Sequence, residues 1–408
     1  MPKTRSSVRL PNSAPSPPGS LGNEKVFQEV TRDLFASLPR SDQRRKGMNY
    51  LRGLLATPGR KSIRNMAALI GGTGTGQSLH HFICSSTWEP RAVQRALAGY
   101  LVREHPPQAW VARPVLIPKT GQYSAGVGQF CGTDGRVVNA QLAVGVWLVA
   151  ARGCFPVSWR LHLPVDPQTG PHRATGPTPA DCAADALLEV LEAWGLPPAP
   201  LLLELDGWDP VPALRRLRAA GLPSLARIGG ETELAVADTS LVGHQNRVLP
   251  ARQIMRAAQA LRRPVTGRRL PSRSSRTVEL AAPVRVSPPG ESFRTGPGRG
   301  SGFVLVGSGS QGRHWPDRIR LTTLSPEQAV TGISRYSGLA ERVDRSASEI
   351  GDRVGLRDFS GRSCNGWYRH VALVSAAHAI AELSENIEKP PATPAPPTSA
   401  PDEVLHTP

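Results

Sequence analysis

The sequence predicts an α/β protein, with a mixed sheet flanked by helices, a helical domain ahead of it and a partly β insertion within it. Three observations lead there. Apolar residues recur at helical spacing across 25–106. Three strand-like runs then follow one another, and the texture alternates helix, strand, helix, strand up to residue 228. Helical periodicity returns from residue 326. At 408 residues the chain is long enough for two or three domains and a sizeable core.

The elements can be taken in order. Residues 1–24 are polar and rich in Pro and Ser, and are expected to be a disordered tail. Val26, Phe27, Val30, Leu34 and Phe35 mark a first helix. Ser41 is the expected cap of a second, which carries Met48, Leu51, Leu54 and Leu55. Ile63–Ile70, Leu79–Ile83 and Val93–Leu101 mark three more, with short connections that suggest a compact helical domain over 25–106, expected to bind DNA through Arg44, Arg45, Lys46, Arg52, Arg60, Lys61 and Arg64. Trp110–Ile117, Val137–Ala150 and Phe155–Leu163 read as strands, because they are apolar and β-prone between Gly, Asp and Cys turns. Pro179–Trp194 reads as a helix with Ala186, Leu187, Val190 and Leu191 on one face. Pro200–Leu205 reads as a buried strand, Val211–Ala220 as a helix and Ser224–Ile228 as a strand. Three strands followed by helix–strand–helix–strand is the order of a ribonuclease-H-like domain. Residues 230–325 are rich in Gly, Pro and Arg and read as an insertion with some β structure, since long structureless loops are rare in compact domains. Pro326–Ile350 and Trp367–Leu383 complete the domain, which thus spans 107–229 and 326–386. The Pro-rich 387–408 is a second expected tail.

Charge narrows the function. Lys and Arg together number 49 against 32 Asp and Glu, a net charge of +17. Such a chain attracts polyanions, and double-stranded DNA is the first partner to consider. Only six of the basic residues are lysines, a skew that a GC-rich genome also produces, but codon bias does not account for the net excess. No run of about 18 apolar residues is present, so no membrane span is expected, and no apolar signal segment opens the chain. Five scattered cysteines without a Cys-x-x-Cys pair fit a reducing, cytoplasmic setting rather than a disulfide scaffold or zinc site. Oligomeric state is open, with a homodimer as one option.

Four local features bear on chemistry. Gly71–Ser78 nearly spells a phosphate-binding loop, with Gly71 and Gly76 correctly spaced and Ser78 at the metal-binding hydroxyl. Gln77 stands where the lysine belongs, and the preceding residues read as a helix, so an interhelical loop is preferred over nucleotide binding. From Thr239 to Val278 there are nine arginines and no Asp or Glu. Guanidinium forks match phosphate oxygens, and such contacts position a protein on DNA without reading sequence. A solvated basic loop is the competing reading. His370 and His378 share a helix face, where packing or a surface role is favoured over metal binding. Asp206 ends a buried strand within Leu205-Asp-Gly-Trp-Asp209, a usual place for a metal ligand and also for a turn.

Several blocks together resemble the DDE transposases of bacterial insertion sequences, the group named after insertion sequence seven-zero-one. The blocks are Pro118-Lys119-x-Gly121-x-x-Ser124-x-Gly126-Val127, Cys131-Gly132-x-x-Gly135 with Asn139-x-Gln141, and Trp159-Arg160-Leu161-x-Leu163-Pro164. They continue through Gly221-Leu222-Pro223, Gly355-Leu356, Arg362-Ser363 and Gly366-Trp367-Tyr368-Arg369-His370. The resemblance runs from about 30 to 385. It implies two Mg²⁺ ions held by two aspartates and a glutamate, one metal activating water or a 3′-OH and the other stabilising the leaving oxygen.

The sequence departs from that pattern. The first aspartate should lie within Trp110–Ile117, but Arg113 and Pro114 stand there, with no acid from His105 to Cys131. The second maps to Asp206, or to Glu204 or Asp209 if the alignment slips. The glutamate maps to Asp344, and the lysine seven residues later to Gly351. Asp206 and Asp344 are therefore the candidate catalytic and metal-binding pair, expected to lie close together. Two carboxylates beside an arginine are too little charge for two divalent ions. The expectation is a DNA-binding transposase-family protein with an incomplete triad and no strand transfer. Its alternative is an active transposase with a misaligned third carboxylate. Arg262, Arg263, Arg268, Arg269 and Lys119 are the candidate DNA contacts.

Overall fold

A computed structural model describes residues 20–121, 123–131, 137–163, 177–265, 278–291, 302–310, 312 and 314–388. The two expected tails lie outside these residues except at their inner ends, where 20–24 and 387–388 belong to helices.

The chain opens with five helices: α1 (Ser20–Ala36), α2 (Ser41–Ala56), α3 (Ile63–Ile70), α4 (Thr75–Cys84) and α5 (Pro90–Glu104). Ser62 caps α3 by accepting the Asn65 N–H, and Glu89 followed by Pro90 starts α5. Ser41 does not cap α2. The cap position is Arg40, whose backbone is extended and whose guanidinium reaches Asp42, so Ser41 already lies in the first turn. Between α3 and α4, Gly71, Gly72 and Gly74 take φ of +77°, +88° and +77°, a left-handed turn that suits glycine. A phosphate loop needs a strand before its first glycine, and α3 occupies that place.

The sheet begins with β1 (Ala109–Pro118), β2 (Val127–Cys131), β3 (Val137–Ala150) and β4 (Gly153–Leu161). After α6 (Pro179–Leu188) come β5 (Leu201–Leu203), α7 (Val211–Ala219) and β6 (Ser224–Arg227). β1 is antiparallel to β3 and β3 to β4, while β1, β5 and β6 run parallel. The order β4-β3-β1-β5-β6 is the ribonuclease-H-like sheet. Leu201–Leu203 are wholly buried, as a central parallel strand covered on both faces requires. β2 was not foreseen from the sequence; it is a short strand beside β3 that mixes Gly and Gln with Val and Phe, so no alternation marks it.

Within 230–325 the chain forms β7 (Glu233–Val236), β8 (Val248–Pro250), α8 (Ala251–Ala257), β9 (Arg263–Pro264), β10 (Glu279–Ser287), β11 (Phe303–Ser310) and β12 (Arg318–Thr322). These strands extend the same sheet outward from β6, in the order β12-β11-β10-β7-β8, with β9 on β10. Two helices follow, α9 (Pro326–Ser346), which continues into a π-helical turn (Ala347–Gly351), and α10 (Cys364–Glu388). Ser325 and Gln328 form a capping box that starts α9.

α10 is buried on nearly every side from Val371 to Ile380. It packs on β4 with one flank and on α1, α2 and α5 with another, so the N-terminal helices and the sheet share one apolar core. Tyr50 on α2 donates its hydroxyl to His370 Nδ1 at 2.9 Å, and His370 Nε2 donates to the Gly355 carbonyl at 3.0 Å. That fixes a neutral Nε2–H tautomer. Among the described residues no helix is long and apolar enough to cross a membrane.

Candidate functional site

The site is built where β1 and β5 lie side by side. Ala112 pairs with Leu203 in parallel register, and Glu204 donates its N–H to the Ala112 carbonyl at 2.9 Å. One step along each strand, Arg113 and Glu204 therefore project from the same side of the sheet. α9 crosses that side and brings Asp344 to Arg113, with Nη1 and Oδ1 2.8 Å apart. β12 brings Arg320, whose Nη1 lies 2.6 Å from Glu204 Oε1, with both side chains nearly buried. Glu204, Arg227, Arg320, Ser337, Glu341 and Asp344 line one cleft of about 270 Å³.

Of the carboxylates lining the cleft, Glu204, Glu341 and Asp344 are each matched by an arginine, and Asp317 is not. Arg113 pairs with Asp344, Arg320 with Glu204, Arg318 with Glu341, and Arg227 with Asp206 at 3.1 Å. Asp317 accepts the Ser310 N–H. Asp344 and Glu204 thus share the cleft. Asp206 sits in the turn beyond β5, largely exposed, and reaches the cleft only through Arg227. Gly351 is buried at the end of the π-helical turn, whereas the Asp344 side chain is half exposed.

This donor set does not fit a two-metal centre. Mg²⁺ takes hard, uncompensated oxygen ligands. Here the strand position that would supply the first carboxylate holds a guanidinium, which stays charged and cannot ligate a cation. Glu204 is neutralised in a buried pair and Asp344 in a half-exposed one. Among the described residues no group of three or more His, Cys, Asp or Glu is arranged to hold a metal ion.

The basic candidates divide. Arg268 and Arg269 lie outside the described residues. The Arg262 guanidinium lies over the Trp315 ring, 5.4 Å from its centroid, and Nε donates to the Gln259 carbonyl. Arg263 is exposed on the edge strand β9. Lys119 follows β1, and its amine donates to the Phe359 carbonyl at 2.5 Å. Burial first, and then the nearby Arg60, hold its pKa below the usual lysine value.

Sequence reasoning set Glu204 behind Asp206 and did not single out Arg320 or Arg227. For Glu204 the signal is its place two residues nearer the apolar run, directly after Leu203, where its N–H still shares the ladder, whereas Asp206 begins the turn. For Arg320 no local signal exists, because it meets Glu204 from a strand 116 residues away.

A family model described as DDE superfamily endonuclease matches residues 33–282. None of the curated proteins matches the chain.

Proposed function

The chain belongs to the DDE superfamily endonucleases, and from that membership we propose that it is a DNA-binding protein of transposase type in which arginine–carboxylate pairs replace the strand-transfer centre. The motif blocks from Pro118 to His370 resemble those of the group named after insertion sequence seven-zero-one and support assigning the chain to it. The observation that carries the reading is the Arg113–Asp344 pair, which joins the first and third ligand positions of a DDE centre by an ion pair. Where a DDE centre sets carboxylates against two divalent cations, guanidinium groups here balance the carboxylates instead. Removal of the catalytic charge leaves the fold and the polyanion attraction in place, since the chain carries a net +17.

The roles follow from position. Asp206 and Asp344 take the second and third ligand places, with Glu204 the register neighbour of Arg113 and the stronger claimant to the second. None of them moves a proton or holds Mg²⁺ while its arginine remains. Arg262, Arg263, Arg268, Arg269 and Lys119 contact phosphates.

Two measurements on the full chain test this reading. Duplex DNA binding should weaken steeply with salt, with a slope of about −0.9 per neutralised phosphate. Replacing Arg262, Arg263, Arg268 and Arg269 by Ala should flatten it, and an unchanged slope would remove that stretch from the interface. With Mg²⁺ or Mn²⁺ the protein should neither nick nor join DNA ends, and calorimetry should detect no stoichiometric metal. Metal-dependent cleavage that is lost in both Asp206→Ala and Glu204→Gln, or in either, would overturn the reading and establish an active transposase.

A further inference from the structure

A second surface, away from the cleft, combines an exposed aromatic ring with unpaired cations. Beyond β1, described residues 119–121 and 123–126 lead to β2. Tyr123, in this connection, is 80% exposed. The guanidinium of Arg362, from the loop before α10, lies over its ring, 5.3 Å from the centroid. Lys119 is in the same connection, tied to Phe359 of that loop. Arg60, from the α2–α3 connection, is near enough to act on Lys119 electrostatically.

Two features set this patch apart. First, Arg60, Lys119 and Arg362 make no ion pair among the described residues, whereas the arginines around the cleft are each bound to a carboxylate. Asp358, the acid that acts on Lys119 electrostatically, accepts the Lys61 backbone N–H at 2.7 Å. Unpaired forks are free to take phosphate oxygens without first breaking a salt bridge. Second, both ends of this connection are anchored. Lys119 N–H donates to the Asn139 carbonyl, Val127 N–H to Ser124, and the buried Gln141 amide to the Ala125 carbonyl. Gly126 has φ +72°, and a Cβ there would press on the His162 carbonyl and Leu161. Anchored ends shorten the stretch of chain that must order when a ligand meets the ring.

We infer that Tyr123, flanked by Arg362, Lys119 and Arg60, is a stacking platform for an unpaired nucleobase of single-stranded DNA, with the three cations holding the adjoining phosphates. The inference rests on the DNA-binding reading above and adds a strand state to it. A base can lie on the Tyr123 ring only when it has left its own stack, which single strands and frayed ends allow and intact duplex does not. No covalent step is involved.

The test measures affinity of the full chain for a short labelled oligothymidylate and for a duplex of equal length, at low salt. Tyr123→Ala should weaken single-strand binding by about 5- to 150-fold, the ratio that corresponds to about 1–3 kcal/mol per stacked base. Tyr123→Phe, which keeps the ring, should retain it, and duplex affinity should change little in either variant. Because Tyr123 is exposed, the replacements leave the core intact. Arg362→Ala should weaken single-strand binding and reduce its salt dependence. Unchanged single-strand affinity in Tyr123→Ala, or equal losses for both DNA forms, would overturn the platform. Wild-type protein that binds duplex but not the single strand sinks this inference alone, whereas protein that binds neither sinks the DNA-binding reading as well.

Discussion

Replacing Arg320 by methionine is expected to destabilise the protein by about 3–5 kcal/mol, the usual result of stripping one partner from a buried ion pair. Arg320 and Glu204 are both nearly inaccessible to water and meet at 2.6 Å. Without the guanidinium, the buried Glu204 carboxylate loses its ion-pair partner, while Arg113, its neighbour in register, is already engaged by Asp344. The double change Glu204→Leu with Arg320→Met should recover most of the loss, and such replacements are sometimes stabilising by about 1–4 kcal/mol. Urea denaturation of the two single variants and the double variant gives the coupling directly. A cost below about 1 kcal/mol for Arg320→Met would mean that the pair behaves as a solvated surface bridge. By comparison, breaking Arg113–Asp344 should cost little, because Asp344 is half exposed.

Acid should destabilise the fold well before its carboxylates are protonated. His370 and His378 on α10 are wholly buried, and burial pushes each imidazole down to about 4. For His370 the Gly355 carbonyl and Asp358 oppose the shift, and Lys119 reinforces it. For His378 the Ser346 carbonyl opposes it and Arg353 reinforces it. Unfolding releases both to an ordinary value near 6.5, so below that pH the unfolded chain binds more protons than the folded one. Stability must then rise with pH between about 4 and 6.5 and be fully present above that window. Each imidazole accounts for on the order of 3 kcal/mol across it. Glu382, whose carboxyl is raised by burial beside Ser346, works in the opposite direction near the bottom of the window. Denaturation midpoints at pH 7.5 and pH 5 should differ markedly in the natural protein and much less in the His370→Gln, His378→Gln variant. A flat profile in the natural protein would show that both imidazoles titrate normally in the fold.

The α/β class and most elements were legible in the sequence because they depend on local periodicity. Val137–Ala150 has the same bounds as strand β3, because a long apolar, β-branched run admits few alternatives. The helical reading of Ile63–Ile70 settled the glycine loop after it. The resemblance around Pro118-Lys119 set Arg113 where the first aspartate of the DDE pattern is expected, because it needs only that block and the strand before it. Five-residue β2 escaped because edge pairing, not hydrophobic pattern, makes it a strand. What Arg113 and Glu204 do was decided by tertiary structure alone. Their partners, Asp344 and Arg320, arrive from α9 and β12, far along the chain, and a charge's effect depends on what lies within a few ångströms of it. The same holds for Glu204 against Asp206. Sequence offers two acids two residues apart, while strand register puts one beside Arg113 in a buried pair and leaves the other in an exposed turn. Tyr123 was one unmarked residue within a motif until the fold set Arg362 over its ring. Composition and periodicity determine what kind of layers form, because they act through neighbours in sequence. Which charges meet is determined by how those layers cross.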